Sequence, residues 1–139
     1  MKNILVYFSF LLVLVACSNE NGDDAVKITK GFVEENAEIG LTYDEVREGF
    51  GIEELADIVD NTETWLYDST PYSDFEYEKS LEALSHDEIK SGNLEYQLYI
   101  NFVNEKAYMY SYFYLGDDGK VWKYQITPNS KPLNIPVSN

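Results

Sequence analysis

The sequence of 139 residues holds one cysteine and one histidine, and only 10 Lys and Arg against 25 Asp and Glu. A single cysteine excludes an intrachain disulfide and a cysteine zinc cluster. The shortage of positive charge leaves a formal net charge of −15, which repels a phosphate backbone and excludes nucleic-acid binding through a basic footprint. The length leaves no room for two domains, a TIM barrel or a paired dinucleotide-binding fold. Residues 4–16 are apolar apart from Ser9, but as a helix they reach about 20 Å, short of a hydrocarbon core about 30 Å thick. No internal repeat is present. Hydrophobic residues make up 45% of the chain and aromatics 15%, more than a disordered acidic tail carries. One small folded domain is therefore expected.

The short apolar run follows Lys2 and ends at Leu14-Val15-Ala16-Cys17, before the polar residues Ser18 to Asp24. A positive start, an apolar stretch of this length and a small residue at its end read as a signal peptide. The segment resembles the bacterial lipobox, in which cysteine becomes the first residue and carries a diacylglycerol and a further acyl chain such as palmitate. Two or more chains suffice for stable anchoring. The expectation is a leader over residues 1–16, an acylated Cys17 with a flexible tether over 17–26, a single domain over 27–127 and a proline-containing tail over 128–139. Ser18, where the inner-membrane retention mark has Asp, implies the outer membrane in a host with two membranes. The acid-rich residues 20–24 are similar to export tags that carry lipoproteins to the cell surface, and they also read as a plain solvated tether. The leader would take Lys2 and no acidic residue with it, so the mature chain becomes one charge more acidic than the full sequence.

Within the domain, residues 26–33 have mixed periodicity and leave strand and short helix open. The strongest local signal is Thr42 followed by Glu45, a capping box, with Leu41 and Val46 placed for a hydrophobic staple and Gly51 as the stop. Val46 and Phe50 give that helix its inward face. A second short helix is expected over 53–59, a strand over 64–67 with Trp65 and Tyr67 on one face, another strand over 74–79, and a short helix over 80–92. Strands follow at 94–103, 107–115 and 120–127, with turns at 104–106 and 116–119. Pro128, Pro132 and Pro136 predict an extended tail that cannot donate regularly to a sheet. The expected fold class is α+β: two short N-terminal helices packed on an antiparallel meander of three to five strands.

Gly40-Leu41-Thr42, Glu45-Val46 and Phe50-Gly51, followed by Trp65 and Tyr67, resemble the small outer-membrane lipoproteins of the BamE (SmpA/OmlA) family. Phe102-Val103-Asn104-Glu105-Lys106-Ala107 is similar to that family's hairpin. The resemblance spans residues 39–115 and implies two helices on three or more strands, in outline like β-lactamase-inhibitor-type domains. It also implies action by binding proteins, in an assembly or scaffold role, without catalysis.

Candidates for catalysis are few. His86 lies between Ser85 and Asp87, and adjacent residues point apart, which is not the geometry of a triad. Paired carboxylates such as Glu34-Glu35, Glu53-Glu54 and Asp117-Asp118 read as solvated faces or turns, and the last pair lacks the calcium-loop frame. No cofactor or metal is expected. Tyr108, Tyr110, Tyr112 and Tyr114 alternate along one strand and so share a face, with Tyr99 on the neighbouring strand. Two readings stay open: half-buried tyrosines under the helices, or an aromatic platform for a protein partner. The functional expectation is a non-enzymatic lipoprotein, held to the envelope membrane through Cys17, that binds an envelope protein. The alternative is an inhibitor or immunity-type lipoprotein that neutralises a basic toxin or enzyme.

Overall fold

In the computed structural model, residues 25–138 are described. They build a six-stranded antiparallel sheet whose strands lie side by side in chain order. The strands are β1 (Leu55–Val59), β2 (Thr62–Ser69), β3 (Tyr96–Val103), β4 (Lys106–Leu115), β5 (Val121–Ile126) and β6 (Leu133–Pro136). Three short helices accompany them: α1 (Lys30–Asn36), α2 (Tyr43–Phe50) and α3 (His86–Ser91). Only 18% of the structure is helical. The expected two-helix layer on three to five strands is therefore corrected to a sheet-dominated meander with small helices.

Specific turns and pairings explain the difference. Residues 53–59 do not form the expected second helix. Asp60 and Asn61 take φ of 49° and 62°, the left-handed pair that a tight two-residue hairpin requires and that Asp and Asn tolerate. Leu55–Val59 thereby folds back on β2 from Leu66 to Thr62. At the other end, the proline-containing segment supplies β6 along β5. Residues 74–79 form no strand and run as irregular chain, and the helix expected over 80–92 is confined to α3, closed by Gly92 in the left-handed conformation.

The ends of the helices follow local chemistry. Thr29 accepts from Phe32 N–H at 3.1 Å and starts α1. For α2 the capping box is in place: Thr42 N–H donates to Glu45 Oε2 at 2.8 Å, and Glu45 N–H to Thr42 Oγ1 at 3.3 Å. Gly51 closes α2 at φ +85°, a backbone state that side chains rarely adopt. The approach to α2 is fixed by β4, since Ala107 exchanges backbone hydrogen bonds of 2.7 Å with Gly40 and Leu41.

One face of the sheet is covered by α1 and α2. Val33, Val46 and Phe50 from that layer pack onto Trp65, Tyr67, Tyr96, Leu98, Ile100, Phe102, Tyr110, Tyr112 and Tyr124. The second face is covered in part, by the irregular segment 70–85 and α3. There Ile89, Leu94 and Val121 form a smaller core with Phe75, Tyr77, Leu84, Phe113 and Val137.

Candidate functional site

The five tyrosines do not form one exposed platform. Tyr110 and Tyr112 are buried in the core beneath the helices, and Tyr114 is half-buried against it. Tyr110 Oη donates to the Glu38 carbonyl at 2.8 Å and Tyr112 Oη to the Ile28 carbonyl at 3.3 Å. On β2, Tyr67 Oη donates to the Gly51 carbonyl at 3.0 Å. These carbonyls lie just before α1, just after α1 and at the end of α2. The tyrosines thus satisfy backbone acceptors at the margins of short helices, which have few partners of their own. Burial pushes both Tyr110 and Tyr112 upward in pKa, since a desolvated phenolate is disfavoured.

Tyr108 departs from the stripe for another reason. The β3–β4 pairing slips between Asn101 and Phe102, which face Met109 and Ala107. This bulge leaves Tyr108 as the extra residue. Ala107 and Tyr110 enter the same core while Tyr108 stays 48% exposed. A one-residue slip is invisible to a strict alternation count. Tyr99 lies on the opposite face of the sheet, where its hydroxyl donates to the carbonyls of Ser80 and Ala83 at 3.1 and 3.2 Å. Cys17 lies outside the described residues.

What the second face offers instead is a shallow cleft of about 300 Å³ between residues 81–84 and the sheet. Tyr99 and Phe113 form its aromatic wall, edge to face with centroids 5.9 Å apart. Thr64, Asn101 and Ser111 line it with polar groups, and Glu82 stands exposed among the loop residues. Asn101 Nδ2 donates to Thr64 Oγ1 at 2.8 Å, and Ser111 Oγ accepts from Gln125 Nε2 at 3.0 Å. Both residues keep hydrogen-bonding capacity in reserve: the Asn101 carbonyl oxygen and the Ser111 hydroxyl proton. Alternation marks Asn101 and Ser111, each a polar residue between apolar ones on β3 and β4, whereas Thr64 follows Glu63 and is brought to them only by strand register.

Gln97 holds the cover of this face in place. It is fully buried, accepts from Ser85 N–H at 2.8 Å through Oε1, and donates to Tyr77 Oη at 3.0 Å through Nε2. Tyr77 donates in turn to Asp68, and Lys79 bridges Asp68 and Glu54. Burial and then the Asp68 hydrogen bond push Tyr77 upward in pKa.

His86 borders a larger concavity of about 660 Å³ with Tyr77, Glu78, Glu88 and Val137. Its Nδ1 lies 3.5 Å from the exposed Asp87 carboxylate, too long for an oriented catalytic pair. Among the described residues, no group of three or more His, Cys, Asp or Glu side chains is placed to hold a metal ion. The chemistry on offer is recognition: aromatic contact, a carboxamide, hydroxyls and surrounding carboxylate. Compared with known proteins, the chain matches no family model, no curated protein and no solved structure.

Proposed function

We propose that this chain is a lipid-anchored lipoprotein whose folded domain binds a partner protein at the cell envelope without catalysing a reaction. The anchor is the acylated Cys17, and the membrane is the outer one in a host that has two. The observation that carries the binding reading is the second face of the sheet. It is half covered, and its cleft combines an aromatic wall with the unused Asn101 and Ser111 capacity and the Glu82 carboxylate. Such a surface suits a partner side chain better than a buried small ligand, because a ligand site usually encloses most of its guest. An assembly or scaffold role of the BamE kind is consistent with this reading. The test has two arms. Cys17→Ser should abolish incorporation of a palmitate analogue and release the protein from membranes. Asn101→Leu with Ser111→Val should leave the fold unchanged and weaken recovery of the native partner after cross-linking. Retained acylation in the first arm or an unchanged partner yield in the second sinks the corresponding half of the proposal.

Charge favours a second reading. Three of the 25 acids (Glu20, Asp23, Asp24) precede the domain and the rest lie within it, so acidity belongs to the folded surface. A basic toxin or enzyme would be drawn to it and neutralised. Binding by such charge weakens as salt rises; affinity for a basic partner that is indifferent to salt would count against it.

A further inference from the structure

The chain treats the two edges of its sheet differently. On β6 the pairing toward β5 includes Val137, whose N–H donates to the Val121 carbonyl at 2.8 Å. Antiparallel alternation then gives Leu133 and Ile135 to β5 as well, and turns the backbone of residues 132, 134 and 136 outward. Pro132 and Pro136 occupy two of those three places and have no N–H to offer. That edge is closed to another strand.

On β1 nothing comparable stands in the way. The two-residue turn at Asp60-Asn61 makes Val59 and Thr62 a hydrogen-bonded pair, so Asp57 also bonds β2 while Ala56 and Ile58 present N–H and C=O outward. The Ile58 N–H accordingly donates to its neighbour, the Asp57 carboxylate, at 2.7 Å. Ile58 is 68% exposed on the face it shares with Ala56, and residues 55–59 contain no proline. The edge is also acidic. Glu53, Glu54, Asp57 and Asp60 lie within residues 53–61, with no basic residue among them. Arg47 pairs with Glu53 and Lys79 with Glu54, whereas Asp57 and Asp60 have no cationic partner among the described residues.

We propose that the outer edge of β1 accepts an extended, basic segment of the partner protein as a seventh strand; this rests on the protein-binding reading above. Main-chain hydrogen bonds to Ala56 and Ile58 supply the docking geometry. Alternation of the incoming strand sets apolar side chains beside Ile58 on one face and Lys or Arg beside Asp57 on the other. The incoming strand takes over the Ile58 N–H and frees the Asp57 carboxylate for the basic side chain. A second copy of this chain fits poorly, because it would bring Asp57 and Asp60 against like charges. Asp57 therefore both guards the bare edge against self-association and selects the partner.

The probe is a short peptide alternating lysine and valine, with glutamate and valine as its counterpart, added to the full acylated chain in detergent micelles. Amide exchange at Ala56 and Ile58, followed by nuclear magnetic resonance, is the readout. The lysine peptide should slow both amides about tenfold or more, and the glutamate peptide should not. Ile58→Pro removes the outward N–H at a place where an edge strand tolerates proline, and should weaken the lysine peptide about tenfold with the rest of the amide spectrum unchanged. Asp57→Lys should transfer the preference to the glutamate peptide. Lysine peptide bound with Ala56 and Ile58 unprotected overturns the edge and leaves the protein-binding reading standing. Protection of the same amides without peptide, growing with protein concentration, assigns the edge to a second copy and also overturns it. Failure of the protein-binding reading registers separately, as an unchanged partner yield in the Asn101 and Ser111 variant.

Discussion

The two faces of the sheet are covered by different means. Under α1 and α2 the contact is aromatic and continuous: Phe50 meets Phe32 edge-on at 5.3 Å and Tyr110 in a stack at 6.0 Å, and Trp65 lies 4.6 Å from Phe102. Polar tips there reach outward to the margins of the helix layer. On the second face, an irregular segment is held by a buried polar residue, Gln97, and by hydroxyls from Tyr77 and Tyr99. Aromatic packing is non-directional and tolerates small shifts, whereas a buried hydrogen-bond network holds only while every member is satisfied. The helix face holds the larger buried core. The second face keeps an open cleft.

The largest expected effect strikes both faces together. Burial raises Tyr99 to about 12, and its hydrogen bond to Glu63 raises Tyr43 to about 12. Burial also raises Tyr67, Tyr96, Tyr110 and Tyr112. A raised folded-state pKa stabilises the fold below the unfolded value of 10.0, and that stability is lost as pH rises through the folded values. The domain should unfold cooperatively above about pH 10, followed by tyrosinate absorbance and circular dichroism together. Tyrosinate appearing stepwise near the ordinary value, with the fold intact, would show that the tyrosines are accessible.

Next in size is Phe50→Ala, which removes the ring that joins α2 to α1 and the sheet; it should cost about 3–5 kcal/mol in denaturant unfolding. Gln97→Ala sharpens the comparison, because it removes the acceptor of Ser85 N–H and the donor to Tyr77 Oη at a cost of about 1–3 kcal/mol. Hydrogen exchange should quicken in residues 77–85 while amides beneath α1 and α2 hold. Equal loosening of both faces would mean that the two covers are one cooperative unit. The smallest effect belongs to Tyr110→Phe, which loses one hydrogen bond to Glu38 and keeps the ring, for about 1 kcal/mol.

Much of this was legible from local residues. The Thr42 capping box, the Gly51 stop and the strands carrying Trp65 and Tyr112 depend on neighbours within a few positions, and they fold as those neighbours dictate. In the 53–59 segment, Leu55, Ile58 and Val59 suit a helical face, while the decisive feature is the Asp60-Asn61 turn just beyond it. For the tyrosine stripe the question was which face of β4 the helices cover, and pattern alone leaves that open. The bulge at Tyr108 and the meeting of Thr64, Asn101 and Ser111 in one cleft arise only from strand register. The edge at β1 is likewise set by which strand ends unpaired.

Local chemistry alone specifies a small, acidic, aromatic-rich domain, together with the caps of α2, the turns at 104–106 and 116–119 and most of its strands. These follow from composition and from contacts a few residues apart. Long-range pairing alone decides that Tyr110 and Tyr112 are core pins while Tyr108 stays exposed, that the proline segment closes one edge while β1 leaves the other bare, and that the second face keeps a cleft. Those outcomes depend on pairings between residues far apart in the chain, where burial and hydrogen-bond satisfaction are settled jointly.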